Sequence, residues 1–411
     1  MSGILRHAPH SGTARRWLIR LVTTAAVVFV VWAWPAQAHA YPWMIRHEYT
    51  SCMTCHADPS GGGLLTAYGR AQGEILLRMQ YGRSAEEDPG KTGNFLFGAV
   101  DLPESLLLGG SFRSALLRVM PAGSPGTNRF ILMQSDATGQ LTVGRFRANA
   151  SVGYVHEGAL GASLTRGDKD RLISRVHWVG VDLGTDNEVL LRAGRLNVPF
   201  GVRSVEHTMW VRRETRTDIN AAQQYGIAAS YNADKIRTEL MGIVGNFEVA
   251  PDKFRSRGYA GYLEYALLPK LALGVSSMAT NAKEDLTLLT PAWRHAHGIF
   301  ARYSPQPWVV LTSEMDLLHV SQPTPGKTRV GVVGMLSSDF EPIQGLHLIP
   351  TFELLNGEFA AQSTSFGGWA SAVWFFAPHA DVRADAIWQF VATPAGTTKV
   401  TSLLGQVHFY L

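Results

Sequence analysis

Cysteine is almost missing from this 411-residue chain, which has only Cys52 and Cys55. One such pair excludes a structural zinc site, which takes four N or S ligands and typically a second pair at similar spacing. An excess of one charge is also missing once the first forty residues are set aside. Four of the 37 basic residues, Arg6, Arg15, Arg16 and Arg20, lie there with no acidic residue, leaving 33 basic against 33 acidic. Nucleic acid is therefore not an implied partner. The glycine run Gly61-Gly62-Gly63 is not followed by a P-loop lysine, so it reads as turn glycines rather than a phosphate cradle. No nucleophile and base pair stands out. Past residue 100 there is no cysteine and little that could form an amphipathic helix, so that region reads as β.

The amino terminus has the plan of an export signal. Its arginines precede an apolar run from Leu21 to Trp34, and small residues follow at Ala36, Ala38 and Ala40. The run is short for a helix that must cross about 30 Å of hydrocarbon. Residues 1–40 thus read as a cleaved signal peptide, with the mature chain starting at His39 or Tyr41.

Dyad alternation identifies the kind of β domain. Arg145, Arg147, Asn149 and Ser151 alternate with Phe146, Ala148, Ala150 and Val152, and Asp381-Val382-Arg383-Ala384-Asp385-Ala386 repeats the pattern before Trp388 and Phe390. Met315 and Leu317 alternate with Glu314 and Asp316. Charges this frequent on the polar face of long strands suit a water-filled lumen better than a sandwich core. About sixteen candidate strands fit between Leu106 and Leu411. Short turns are expected at 138–140, 184–187, 232–234, 268–270, 305–307 and 378–379, and longer links at 121–128, 157–170, 199–222, 246–253, 282–291 and 321–326. That alternation predicts an all-β fold, a transmembrane barrel of about 16 antiparallel strands over 101–411, with tight periplasmic turns and extended outer loops. The closing strand, Lys399 to Leu411, ends at the terminus as barrel assembly signals do. Trp178, Trp293, Trp308, Trp369, Trp374 and Trp388 are candidates for the aromatic girdles.

Both cysteines fall in Cys52-Met53-Thr54-Cys55-His56, the attachment pattern of a covalent c-type haem. The thiols of Cys52 and Cys55 add to the porphyrin vinyl groups, and His56 becomes the proximal iron ligand. Residues 41–100 read as the haem module, with a short helix from Leu64 to Gln80 over the haem. The sixth ligand is left open between Met79, His47 and, further back, Met44, or an open position. His207, His295, His297 and His319 read as lumen or girdle residues. The longest connection, the third outer loop, carries Arg203, Arg212, Arg213 and Arg216. Folded inward, they would form a positive constriction; left outside, they would pair with Glu206, Glu214 and Asp218.

An export signal, one Cys-x-x-Cys-His near the mature start, a proline and Tyr68-Gly69-Arg70 after it, and a barrel-like remainder resemble the fused monohaem cytochrome-porins, best known from iron-oxidising bacteria. The run Pro59-Ser60-Gly61-Gly62-Gly63-Leu64-Leu65-Thr66-Ala67-Tyr68-Gly69-Arg70 departs from the Pro-x-Leu-Asn-x-Phe-Gly-Arg of that family. The resemblance implies an outer-membrane electron carrier with one haem c. It would work between an extracellular redox metal, iron among them, and a periplasmic cytochrome. Two other functions fit the residues: an anion-selective diffusion porin with a haem plug or redox gate, and a peroxidase-like haem enzyme. Amino-terminal sequencing of the purified mature protein is expected to begin at His39 or Tyr41; a start at Met1 would contradict the reading of the leader.

Overall fold

The computed structural model describes residues 42–59, 61–81, 88–154, 172–184, 188–204, 206, 208–233, 235–361, 363–393 and 396–411. The leader, the link 157–170 and His207 lie outside the described residues.

Strands dominate: β1 (Leu106–Pro121), β2 (Thr127–Val143), β3 (Phe146–Tyr154), β4 (Leu172–Ile173), β5 (His177–Leu183), β6 (Val189–Leu196), β7 (Gln224–Asn232), β8 (Ile236–Gly245), β9 (Arg257–Leu268), β10 (Leu271–Ala282), β11 (Ala292–Gln306), β12 (Val309–Gln322), β13 (Lys327–Ile343), β14 (Leu346–Asn356), β15 (Ser365–Ala377), β16 (Ala380–Thr393) and β17 (Gly396–Tyr410). All pairings are antiparallel, and β1 pairs with both β2 and β17, from Ser111 opposite Tyr410 to Pro121 opposite Val400, which closes the sheet. Strands β4 and β5 both pair with β3 and are two pieces of one stave. The result is a closed transmembrane barrel of sixteen staves. Closure is what lipid demands, because an open edge there would leave backbone N–H and C=O groups without partners.

The alternation resolves as polar inside and apolar outside. Asn149, Ser151, Glu314, Asp316, Asp381 and Asp385 are buried, whereas Phe146, Val152, Met315, Leu317, Trp388 and Phe390 are exposed on the outer face. Trp293 and Trp388 lie outward toward the long-loop end and Trp308 and Trp374 toward the short-turn end, as two girdles require. Trp178 and Trp369 are each 4 % exposed and join the core inside, so these two are not girdle residues.

Most expected turns fall where strands meet. Thr138-Gly139-Gln140 is an exception, since it lies inside β2 and the reversal comes at Gly144 and Arg145. Gly139 serves packing there: a β-carbon on it would stand 3.2 Å from the Leu108 side chain on β1. The turn after β13, at Gln344-Gly345, and the longer link after β14, which opens with the turn pair Asn356-Gly357, are not among the expected connections.

The short-turn end, where β1 begins and β17 finishes, holds residues 42–81 inside the barrel. Trp43, Ile45 and Leu77 of this segment bury against Ala272, Val310, Ile349, Val373 and Phe375 of the inner wall. The helix runs from Ala67 to Leu76, shorter than expected. Thr66 caps it, its side chain accepting the Gly69 N–H at 2.9 Å. Its buried face is Gly69, Arg70, Gly73 and Glu74, while Tyr68 and Ile75, expected to cover the haem, are exposed.

One ion cluster fastens the plug. Arg46, 2 % exposed, pairs with Asp339 and, at 2.6 Å, with Glu341 on β13. His347 on β14 also approaches Asp339, at 2.9 Å, and Trp43 stacks on its ring at 4.8 Å. Removing one member of a buried pair strands the other and costs about 3–5 kcal/mol. Arg46→Ala is therefore expected to lower the melting temperature in detergent and to speed amide exchange over residues 42–56. Exchange unchanged from wild type would contradict this docking.

Candidate functional site

The Cys-x-x-Cys-His segment is a single tight turn. Cys52–Thr54 form one 3-10 turn, and the N–H groups of Cys55 and His56 both donate to the Cys52 carbonyl, at 3.2 and 2.9 Å. The chain then doubles back through Gly61, Gly62 and Gly63, all at positive φ (86°, 84° and 66°), a conformation that glycine adopts without steric cost. The return strand pairs His56 with Leu65, and the Thr66 N–H donates to the Cys55 carbonyl at 2.9 Å. Gly69 then seats the helix on the motif, since a β-carbon there would stand 2.2 Å from that same carbonyl. The thiols are not joined in a disulfide.

Barrel arginines clamp this turn from outside. Arg237 on β8 donates to the Cys52 sulfur and pairs with Glu264 on β9. Arg302 on β11 bonds Glu264 at 2.7 Å and the Thr50 carbonyl at 3.0 Å. Asp58 accepts from Asn197 at 3.0 Å and lies 3.4 Å from Arg192 on β6, which also pairs with Glu239. Strand alternation shows that these residues point inward; nothing in the sequence tells which of them meets the motif.

Cys52, Cys55 and His56 open together onto one cavity of about 280 Å³, whose other walls include Met44, Leu64, Trp178, Arg203, Arg237, Arg302 and Phe375. The plug segment does not cross the membrane, and burial there lowers the pKa of His56, leaving a neutral imidazole able to coordinate metal. Burial, and then the neighbouring Cys52 sulfur, push the Cys55 thiol up to about 11.

The sixth-ligand candidates are separated by position. Met44, 6 % exposed, faces the cavity. Met79 does not line it: its sulfur accepts the Trp374 Nε1–H at 3.1 Å and its N–H reaches the Phe375 carbonyl. His47 is likewise absent from the cavity wall. His295 and His319 face each other across β11 and β12 with ring centroids 5.2 Å apart, and His297 bonds Ser277 at 3.0 Å, all toward the long-loop end of the barrel.

The third long loop folds into the lumen. Phe200, Val202, Met209, Trp210 and Val211 are buried there in one apolar cluster with Leu190, Met241, Met278, Phe300, Met335 and Trp369 of the wall. Glu353 on β14 accepts from the Trp210 N–H and, at 2.6 Å, from the Trp369 indole. This septum separates the cavity above from a vestibule of about 380 Å³ at the long-loop end, bordered by Glu214, Arg216, Arg294, Arg329 and Glu358.

The four loop arginines do not make one positive ring. Arg212 is fully buried against Glu314, Arg213 pairs with Glu214 at 2.8 Å, and Arg216 pairs with Asp285 at 3.0 Å. Arg203 faces the cavity of the Cys-x-x-Cys-His turn instead. Each of the first three thus has its own carboxylate, and only Arg212, fully buried, depends on its pair for burial.

No family model matches the chain, and no curated protein matches it. Among solved structures, it is similar to OmpT of Vibrio cholerae (12 % identity, TM-score 0.55, 74 % of this chain against 97 % of that one). The anion-selective porin from Comamonas acidovorans is similar too, with 13 % identity, TM-score 0.56, and 75 % against 99 % coverage. So is OprB of Pseudomonas putida, with 8 % identity, TM-score 0.54, and 75 % against 94 % coverage. The fold is that of an outer-membrane porin barrel. Within this porin barrel the third loop takes the inward of its two alternatives without forming the arginine constriction, and the plug lines the cavity together with the wall.

Asp285, in the long link after β10, gives the porin barrel a titratable clasp outside the spanning strands. It bonds Arg294 at 2.7 Å and Arg216 at 3.0 Å, and accepts the N–H groups of Thr287 and Leu288 at 2.9 and 3.0 Å. Burial works against the charged form, but the bonds and charges of Arg294 and Arg216 outweigh it and hold the carboxyl well below its usual range. A carboxylate with a lowered folded pKa stabilises fully above its unfolded value of about 3.9, and that contribution is lost as pH falls toward the folded value. Amide protection at Thr287 and Leu288 is therefore expected to persist down to about pH 4 and fail only below it. Loss of protection above about pH 5 would contradict the clasp.

Proposed function

We propose that the chain is an outer-membrane electron carrier, with one covalent haem c bound to Cys52 and Cys55 inside the barrel. The observation that carries this reading is the enclosure of both thiols and His56 on one cavity in the lumen. The residues present fit the group: two free thiols at the attachment spacing and a buried imidazole directly after them, all opening onto one cavity. A haem held here supplies one-electron exchange at its iron.

The chain's own residues do the rest. Cys52 and Cys55 would hold the group covalently, His56 would ligate its iron, and Met44, which lines the same cavity, is a candidate for a second ligand or a cover. Arg237 and Arg302 hold the turn against the wall, and the apolar cluster of the third loop packs the lumen beyond it. The apolar band of such a barrel is about 25 Å tall, so a haem at its rim could not serve the far side, whereas one within the lumen shortens the step. The short-turn end takes the periplasmic side, where a soluble cytochrome would dock, and the vestibule faces an extracellular donor or acceptor such as a redox metal.

The likeness to an anion-selective porin raises a second reading, a diffusion porin with a haem plug. The septum of Phe200, Trp210 and Trp369 weighs against it, because solutes would have to displace a packed core. A peroxidase-like enzyme would need an open iron position in a cavity that Met44 borders. Proteoliposomes bearing the haem-loaded protein are expected to pass electrons across the membrane while planar bilayers stay nearly silent to ions. Full haem loading with no electron transfer would overturn the carrier reading, and steady conductance steps would favour the porin.

A further inference from the structure

Arg203 is the one loop arginine left without a carboxylate. It is 8 % exposed, and Nε, Nη1 and Nη2 all lack a hydrogen-bond partner among the described residues. The acids around it are committed elsewhere. Asp58 is held by Asn197 and Arg192, Glu239 by Arg192, Glu206 by Arg383 and Ser204, and Glu314 by Arg212. Glu239 lies near enough to feel the Arg203 charge but bonds Arg192 instead; a buried cation with no bonded counter-charge is penalised by several kcal/mol, so a guanidinium in this position favours an anion that enters the cavity. Its backbone agrees, since φ is +64° at a residue that is not glycine, a conformation that costs about 1–2 kcal/mol and recurs at ligand clamps.

The cavity in question is the one lined by Cys52, Cys55 and His56, and Arg203 lines it with them. Porphyrin carries two carboxylates on the edge away from its thioether-forming vinyl groups. The planar guanidinium fork matches a carboxylate in bidentate fashion. We propose that Arg203 is a positioning residue that binds a haem propionate and so fixes the orientation of the ring in the lumen. This rests on the haem reading above. It also explains why a loop that closes the barrel turns one arginine away from the septum and toward the plug.

The test uses the intact mature protein and two variants. Attachment depends on the two thiols and not on Arg203, so wild type and both variants are expected to carry the mass of one haem. Wild type without that mass would overturn the haem reading, and this inference with it. In Arg203→Gln, the propionate loses its counter-charge and the ferric state gains, so the midpoint potential is expected to fall. Arg203→Lys keeps the charge but not the fork, so the potential is expected to stay close to wild type while the propionate bending band in the resonance Raman spectrum shifts. An unshifted band and unchanged potential in Arg203→Gln, with haem attached, would overturn the inference while leaving the haem reading intact. Should the Gln variant fail to assemble, an unshifted band in Arg203→Lys alone would overturn it.

Discussion

A closed sheet in lipid must turn its charged side chains inward, and the arrangement of this molecule depends on those charges finding partners there. Arg46 with Asp339 and Glu341, Arg192 with Asp58 and Glu239, Arg237 and Arg302 with Glu264, and Arg212 with Glu314 link barrel wall, plug and loop into one network. An ordinary porin can leave such groups to water. Here two inserted segments take the place of much of that water, so each pair also fixes where a segment sits. The same pairs that neutralise the lumen place the Cys-x-x-Cys-His turn in it.

The two inserted segments divide the labour by chemistry. The plug brings small residues and thiols, and its glycines let backbone lie against backbone: Gly69 against the Cys55 carbonyl, Gly61 near the Cys52 sulfur. The third loop brings bulk, and Trp210 and Phe200 pack the waist of the barrel with side chains that no solute could displace cheaply. Electron transfer tolerates a dry, packed septum, whereas ion diffusion does not. On the proposed reading, the barrel keeps the wall of a pore while loop and plug fill its waist.

Much of the fold was legible because a period of two is a strong signal when one face is charged. Glu314 and Asp316 alternating with Met315 and Leu317 could not be read as a sandwich core, and the structure buries the acids and exposes the apolar pair. The third loop was visible as the longest connection, but its inward fold was one of two open alternatives. Less legible was anything that depends on contact across the chain. Glycine inside β2 looked like a turn because its partner, Leu108, is remote in sequence. Four arginines in one loop looked like a cluster, yet the carboxylates of Arg212, Arg213 and Arg216 sit on β12, on the neighbouring residue and on another loop, and Arg203 faces the plug. Met79, His47 and Met44 were all open as ligands, and only contact tells them apart: Trp374 holds the Met79 sulfur, whereas Met44 lines the cavity.

The central claim is that the turn at Cys52 to His56 lies inside the barrel with a porphyrin attached to it. A cryo-electron-microscopy map of the mature protein in lipid nanodiscs tests this most directly. The account predicts planar density continuous with both cysteine sulfurs, enclosed between β8, β9 and β11 on the short-turn side of the septum. A barrel with an empty lumen, or with residues 42–81 projecting away from its short-turn mouth, would contradict it.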